Sequence, residues 1–317
     1  MSEARAIGKR VMVGVRGGVP GDPELEADLD ACARVGMGGV VLFDRDVRTG
    51  EPRNVVSRAQ VAALVGYLRE RLGETVCVAV DQEGGRVARM RKEHGFTTLP
   101  TAHEFGAMTS ETQRSVARVM AIELRGAGVD MNCAPCVDLD LGCPVISGLE
   151  RSFGTVHEVV RSARVVIEEL QGSGVAACIK HFPGHGTARV DSHEKLPDVT
   201  DVHTDDEFAI YAELIGGDSP PRALMTGHLL HRAMDPEYPA SVSRKMTTEH
   251  IRGELGFTGL VITDSLDMGA LRKRYSLPKA MGLALDAGAD FVMHACNSPL
   301  GETAEDVARA IDMLARH

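Results

Sequence analysis

Gly259 to Ala270 reads GLVITDSLDMGA. Its apolar and β-branched core, Leu260 to Thr263, is too short for a helix and stops on a carboxylate, Asp264. That is the sequence form of a buried parallel strand with a charge at its C-terminal end. Seven more runs of this kind occur: Arg10 to Val15, Gly39 to Phe43, Val76 to Val80, Val129 to Val137, Val175 to Ile179, Ala223 to Thr226 and Asp290 to Met293. The stretches between and after them carry apolar residues at helical spacing: Pro23 to Val35, Arg58 to Leu72, Thr112 to Gly126, Val156 to Gln171, Asp205 to Ile215, Thr247 to Leu255, Pro278 to Ala287 and Thr303 to Ala315.

Strand followed by helix, eight times, predicts an α/β chain folded as a single (β/α)8 TIM barrel over residues 1–317. A doubly wound open sheet would share the alternation. It would also call for a GxGxxG turn after the first strand, and GVRGGVPG (Gly14 to Gly21) has its glycines at other spacings. Two connections, Asp138 to Gly154 and Lys180 to Thr204, are too long to be plain links. Both follow strand C-termini, the face where barrels keep their chemistry.

The residues just past each strand are chemically biased. They include Asp81 to Arg89 (DQEGGRVAR), Asp138, Lys180, His181, His228, Asp264 and His294. Singly, each reads as a surface charge or a cap; in a barrel they converge on one mouth. KHFPGHGTARVDSHEKLP (Lys180 to Pro197) is the densest segment. His181 and His185 are four apart, but Pro183 and Gly184 between them rule out the helix that would make this a metal pair. Asp191 and His193, two apart on a loop, are spaced for a carboxylate to orient an imidazole in acid/base work. Asp264 stands where a nucleophile or electrostatic stabiliser belongs, whereas Asp267, three residues on, reads as a cap or solvated charge of the next turn.

Composition narrows the ligands. With eight Phe, four Tyr and no Trp, the chain has few stacking platforms for long polymers. A formal net charge of -10 without a basic cluster repels a phosphate backbone, so no nucleic acid partner is expected. The only early apolar run, Val11 to Val15, is too short for a signal-peptide core or a membrane span, and the expectation is a cytoplasmic protein with no membrane partner, read as a monomer. Seven cysteines without a secretory signal predict free thiols. Cys133, Cys136 and Cys143 lack the second CxxC or the His pair of a zinc site. No metal and no organic cofactor is expected.

Several segments together resemble a known family. VDQEGGRVARM (Val80 to Met90), Arg151 to Gly154, KHFPGHG followed by DSH, LMTGHL (Leu224 to Leu229), YPASVS (Tyr238 to Ser243) and ITDSLDMGA are similar to glycoside hydrolase family 3, in its single-barrel β-N-acetylglucosaminidase branch. The likeness runs in order from about the first strand to the last. It implies a retaining hydrolase of terminal β-linked N-acetylglucosamine, with Asp264 as nucleophile, His193 as general acid/base and Asp191 holding His193. It implies that Asp81, Arg89, Arg151, Lys180 and His181 bind the sugar. It further implies that the substrate is a small aminosugar glycoside, such as a muropeptide fragment in cell-wall recycling. The chain departs from the family pattern at Thr187 and Ala188, where many relatives have Asp-Thr, and at Asp46, where Asn commonly follows Arg.

Three other readings fit parts of the pattern. A His acid/base would not repel phosphate, so the same residues could run phosphorolysis. A sugar-binding barrel without catalysis would keep the binding residues alone. A metal-dependent hydrolase would use His181, His185 and Asp264, and a chelator would stop it.

Overall fold

The computed structural model describes residues 2–316. Eight parallel strands form one sheet: β1 Val11–Gly14, β2 Gly39–Leu42, β3 Cys77–Val80, β6 Met131–Asn132, β7 Ala176–Phe182, β8 Ala223–Thr226, β9 Leu260–Thr263 and β10 Val292–His294. A small antiparallel hairpin, β4 Gln82–Gly84 and β5 Val87–Ala88, sits on the end of β3. The sheet order is β10-β1-β2-β3-β6-β7-β8-β9, and a parallel bridge between Ile262 and Phe291 joins its two ends. The (β/α)8 barrel is therefore closed.

The helices are α1 Glu3–Gly8, α2 Pro23–Val35, α3 Arg58–Leu72, α4 Ala102–Gly106, α5 Ser110–Gly126, α6 Val156–Gly172, α7 Asp205–Ile215, α8 Gly269–Arg272, α9 Leu277–Ala287 and α10 Ala304–Leu314. Local chemistry sets their limits. Asp22 caps α2, with Pro23 in its first turn, and Gly36 ends it at φ 68°. Thr155 and Glu158 form a reciprocal capping box at the start of α6. Lys245–Glu254, expected as an α-helix from Thr247, is a π-helix; its buried Met246 and Ile251 are five apart, matching the i→i+5 repeat. No helix among the described residues is long and apolar enough to cross a membrane.

Alternation along the strands divides the core in two. Met12, Val41, Ala79, Met131, Cys133, Cys178, Ala223, Met225, Ile262 and Met293 pack together inside the barrel. Their strand neighbours, such as Val13, Val40, Val78, Val80, Ile179, Leu224 and Val261, pack outward with the helices. Four methionines and two cysteines do in the interior what aromatics often do, since unbranched thioethers fill irregular space.

Three strands differ from the sequence expectation. The run Val129 to Val137 keeps only Met131–Asn132 as strand, because Pro135 has no N–H for a ladder; a lone bridge from Cys136 to Lys180 remains. The fifth barrel strand continues to Phe182, so Lys180 and His181 lie within it and not in the loop beyond. The last strand starts at Val292 and includes His294. DQEGGRVAR, read only as the segment just past the third strand, makes the β4–β5 hairpin.

Candidate active site

Strand periodicity raises the first layer of the site. Ala79, Cys178 and Ile262 face the barrel axis, so the residues two further on, Asp81, Lys180 and Asp264, face it one layer higher, at the C-terminal mouth. In β7 a register irregularity between Ile179 and Phe182 breaks the alternation, which lets His181 join Lys180 on the site side.

The Lys180 ammonium is 2.7 Å from Asp81 Oδ1 and 2.7 Å from Glu83 Oε1. Arg151 donates to both oxygens of Glu83, at 2.9 and 2.8 Å, in a bidentate pair. Arg89 Nη2 donates to Asp81 Oδ2 at 3.4 Å, and its guanidinium lies over the Phe43 ring. The cluster alternates sign, with three cations and two carboxylates. Burial disfavours charge on Asp81, Glu83, Lys180 and Arg151, but the neighbours outweigh it. Lys180 is held protonated by Asp81 and Glu83, and Arg151 by Glu83. Lys180 and Arg89 hold Asp81 far below the usual carboxylate range, and Arg151 and Lys180 hold Glu83 at about 2. Glu83 was missed in the sequence. Its signal was there, two residues from Asp81 and so on the same side of an extended chain.

A second hub is Asp138, which is buried. It accepts from His181 Nδ1 at 2.7 Å, from the His181 amide at 3.2 Å and from the His185 amide at 2.8 Å. Burial is outweighed by the two histidines, which lower its carboxyl to about 2. With Nδ1 committed to Asp138, His181 turns Nε2 toward Arg151 Nη2, 3.4 Å away. His185 bonds Ser192 Oγ and Cys143 Sγ, and burial depresses its pKa to about 4. His181 and His185 are thus joined through a carboxylate, with rings 5.7 Å apart, and Asp264 makes no bond to either.

Asp191 Oδ1 accepts from His193 Nδ1 at 2.7 Å and from the His193 amide at 2.8 Å. The spacing read from the sequence does bring them together. Burial and these bonds act oppositely on Asp191, and the bonds prevail, keeping it ionised. The loop leans on the segment past Asp264, where Gly269 N donates to His193 O and Ala270 N to Ser192 O. Asp264 takes one side-chain hydrogen bond among the described residues, from Ser265 N to Oδ1 at 2.7 Å. Burial pushes its carboxyl up, and the nearby imidazoles of His228, His181 and His193 with the Ser265 amide bring it below its ordinary value. The arrangement offers an ionised carboxylate with one oxygen free, and an exposed imidazole with its other nitrogen oriented.

Asp267 differs from the expectation of a solvated cap. It is buried and accepts from Ser265 Oγ at 2.5 Å and Asn297 N at 3.2 Å, tying the β9 and β10 loops together. His294 is buried between Cys296 and Glu302. All seven cysteines are free, and the trio splits: Cys133 lies inside the barrel, while Cys136 and Cys143 pack under the long loops. Cys136, Asp138 and His181 do cluster, but as a hydrogen-bonded set, with Cys136 Sγ donating to Asp138 Oδ2 at 3.2 Å. Asp46 accepts from Arg48 N and Thr49 N within its own loop, which returns to the end of β2 at Arg53–Asn54. There Asn54 donates to Val15 O and Gly17 O and accepts from Phe43 N, pinning β1 to β2. Thr187 bonds Glu207 on α7, and Ala188 packs in the cluster beneath the loops.

A closed (β/α)8 barrel that carries such a carboxylate and a charge-paired polar cluster at its mouth is the framework of a glycoside hydrolase. Residues 22–315 match the family model of the glycosyl hydrolase family 3 N terminal domain, and the chain belongs to that family. A curated relative named beta-hexosaminidase, from Bordetella avium (strain 197N), is 38% identical over 275 residues, covering 83% of this chain and 74% of that protein. The structure of a β-N-acetylhexosaminidase from Beutenbergia cavernae DSM 12333 aligns with a TM-score of 0.83 at 29% identity, over 100% of this chain and 97% of that one. A family 3 β-N-acetylglucosaminidase from Paenibacillus sp. str. FPU-7 aligns with a TM-score of 0.86 at 32% identity; the chain is covered in full and spans 58% of that longer protein.

Proposed function

We propose that this protein is a retaining exo-β-N-acetylglucosaminidase whose catalytic unit is one barrel over residues 1–317. The observation that carries the reading is the docking of the Asp191–His193 pair against the segment that follows Asp264, at a barrel mouth that also carries the Asp81, Glu83, Lys180 and Arg151 cluster. Relatives named for hexosaminidase activity support it.

In the first step Asp264 Oδ2 attacks the anomeric carbon while His193 protonates the departing oxygen. In the second, His193 takes a proton from water, which attacks the same carbon and releases Asp264, so configuration is retained. Asp191 fixes the His193 tautomer and stabilises the imidazolium. Asp81, Arg89, Arg151, Lys180 and His181 grip the hydroxyls and N-acetyl group, with Glu83 and Asp138 holding the cations and His181 in place. Carboxylate and imidazole supply the nucleophile and the proton, and the steps call on no metal or cofactor. The substrate is a small aminosugar glycoside, such as a muropeptide fragment, met in the cytoplasm by a monomer.

The test is product analysis on a β-linked N-acetylglucosaminide, with and without phosphate. Free N-acetylglucosamine of retained β-configuration is expected in both, and Asp264→Ala is expected to abolish turnover with the fold intact. Formation of the sugar 1-phosphate would replace hydrolysis by phosphorolysis, and a fully active Asp264→Ala would remove the nucleophile assignment.

A further inference from the structure

Among the described residues no side chain holds the Asp264 carboxylate; the Ser265 amide does, at 2.7 Å to Oδ1. Where Oδ1 sits therefore depends on where Ser265 sits, and Ser265 is fixed from three directions. Its hydroxyl donates to Asp267 Oδ1 at 2.5 Å and accepts from Ala295 N at 2.7 Å. Its carbonyl faces His228 Nε2 at 2.7 Å.

His228 is fully buried, one residue past Gly227 at the end of the neighbouring strand. A carbonyl can only accept, so Nε2 carries the proton and donates it to Ser265 O. Nδ1 lies 2.7 Å from Ser241 Oγ, whose hydroxyl donates to it. Burial lowers the pKa of the imidazole, so it is neutral and its tautomer is dictated by these two partners. Ser241 is buried too, in a single turn, Ala240–Val242, that is bonded back to the same strand end through Ser241 N to Gly227 O and Ala240 N to Leu229 O. TGHL and PASVS, separate motifs in the sequence, thus form one device beneath the nucleophile.

We propose that His228, held by Ser241, is a positioning residue that aims Asp264. The Ser241–His228–Ser265 relay fixes the amide that occupies Oδ1 and so presents Oδ2 to the anomeric carbon. The inference rests on the reading of Asp264 as nucleophile. Because His228 and Ser241 are buried and reach Asp264 through Ser265, the relay acts on the rate of attack and not on binding.

Three substitutions separate positioning from space filling. His228→Leu keeps the bulk and loses both bonds; His228→Gln can place an amide N–H near the former Nε2; His228→Asn is too short to reach Ser265 O. With an aryl β-N-acetylglucosaminide, His228→Leu and His228→Asn are expected to lose about tenfold to a hundredfold in kcat with KM and the inhibition constant of free N-acetylglucosamine within about threefold, and His228→Gln to recover most of that loss. Ser241→Ala, which removes only a hydroxyl, should lower kcat by about threefold to tenfold with KM unchanged, and it carries the test if His228→Leu does not fold. The proposal is overturned if folded His228→Leu or Ser241→Ala keeps wild-type kcat. It is equally overturned if kcat, KM and product affinity worsen together, or if Gln rescues no better than Asn. An inactive Asp264→Ala beside an unaffected His228→Leu sinks this inference alone; an active Asp264→Ala sinks the underlying reading and this one with it.

Discussion

Lys180 shows at the scale of one residue how a buried charge is kept. Its ammonium is nearly inaccessible yet lies 2.7 Å from each of two carboxylates, so desolvation is met by two close opposite charges. Removing a partner leaves an uncompensated charge, and Glu83→Gln is expected to raise KM and lower thermal stability together. His193 is the contrasting case. It is exposed, with a 65% accessible side chain, and among the described residues its imidazole is held by Asp191 alone. Its substitution costs the fold little and the chemistry much: His193→Ala should slow substrates with poor leaving groups by about a hundredfold or more, and activated aryl glycosides far less. Equal losses on both would take the acid role from it. Both residues were visible in the sequence; Glu83, which Lys180 needs, was not singled out.

Among the elements, the loop from Pro183 to Thr204 matters most, and backbone contacts hold it. Gly269, at the start of α8, packs directly against it. A Cβ there would lie 2.5 Å from His193 O and 3.0 Å from Glu194 O. Gly269→Ala must push the loop off its seat, and we expect kcat on poor leaving groups to fall by about tenfold while the glycon site still binds N-acetylglucosamine with unchanged affinity. Crystal structures or kinetics showing an undisturbed loop would contradict this. Periodicity located α2, α3, α6 and α7 closely in the sequence, because the apolar stripe is a local property. It failed at Val129 to Val137 and at the end of β7. There Pro135 and a register irregularity, settled by neighbouring strands, overrode the apolar pattern.

Over the whole molecule, buried titratable groups couple stability to pH. His185 has its pKa lowered to about 4 in the fold, against an ordinary value near 6.5. Between these values the unfolded chain binds the proton and the folded chain does not, so stability falls as pH drops from about 6.5 toward 4. Glu83 and Asp138, held at about 2, add a second loss, present above their ordinary values and removed as pH falls from about 4.5 toward 2. Melting temperature is therefore expected to decline in two stages on acidification, and His185→Gln to flatten the first. A profile level from pH 7 to pH 4 would refute the assignment of His185 as a buried neutral imidazole.

The sequence by itself determined the barrel. Eight short β-branched runs ending near polar residues, with helical stripes between, have few other ways to bury their apolar faces. It also supplied the candidates for the reacting groups, since Asp264 ends a strand and Asp191 and His193 are close along the chain. The tertiary structure alone decided how those groups are held. Glu83 meets Arg151 and Asp138 joins His181 to His185 only when segments from different strands are folded over one mouth, and Ser241 reaches His228 only when the connection after β8 turns back on its own strand end. Such contacts link residues 13 to 68 positions apart, and they depend on strand register and closure, which no local pattern encodes.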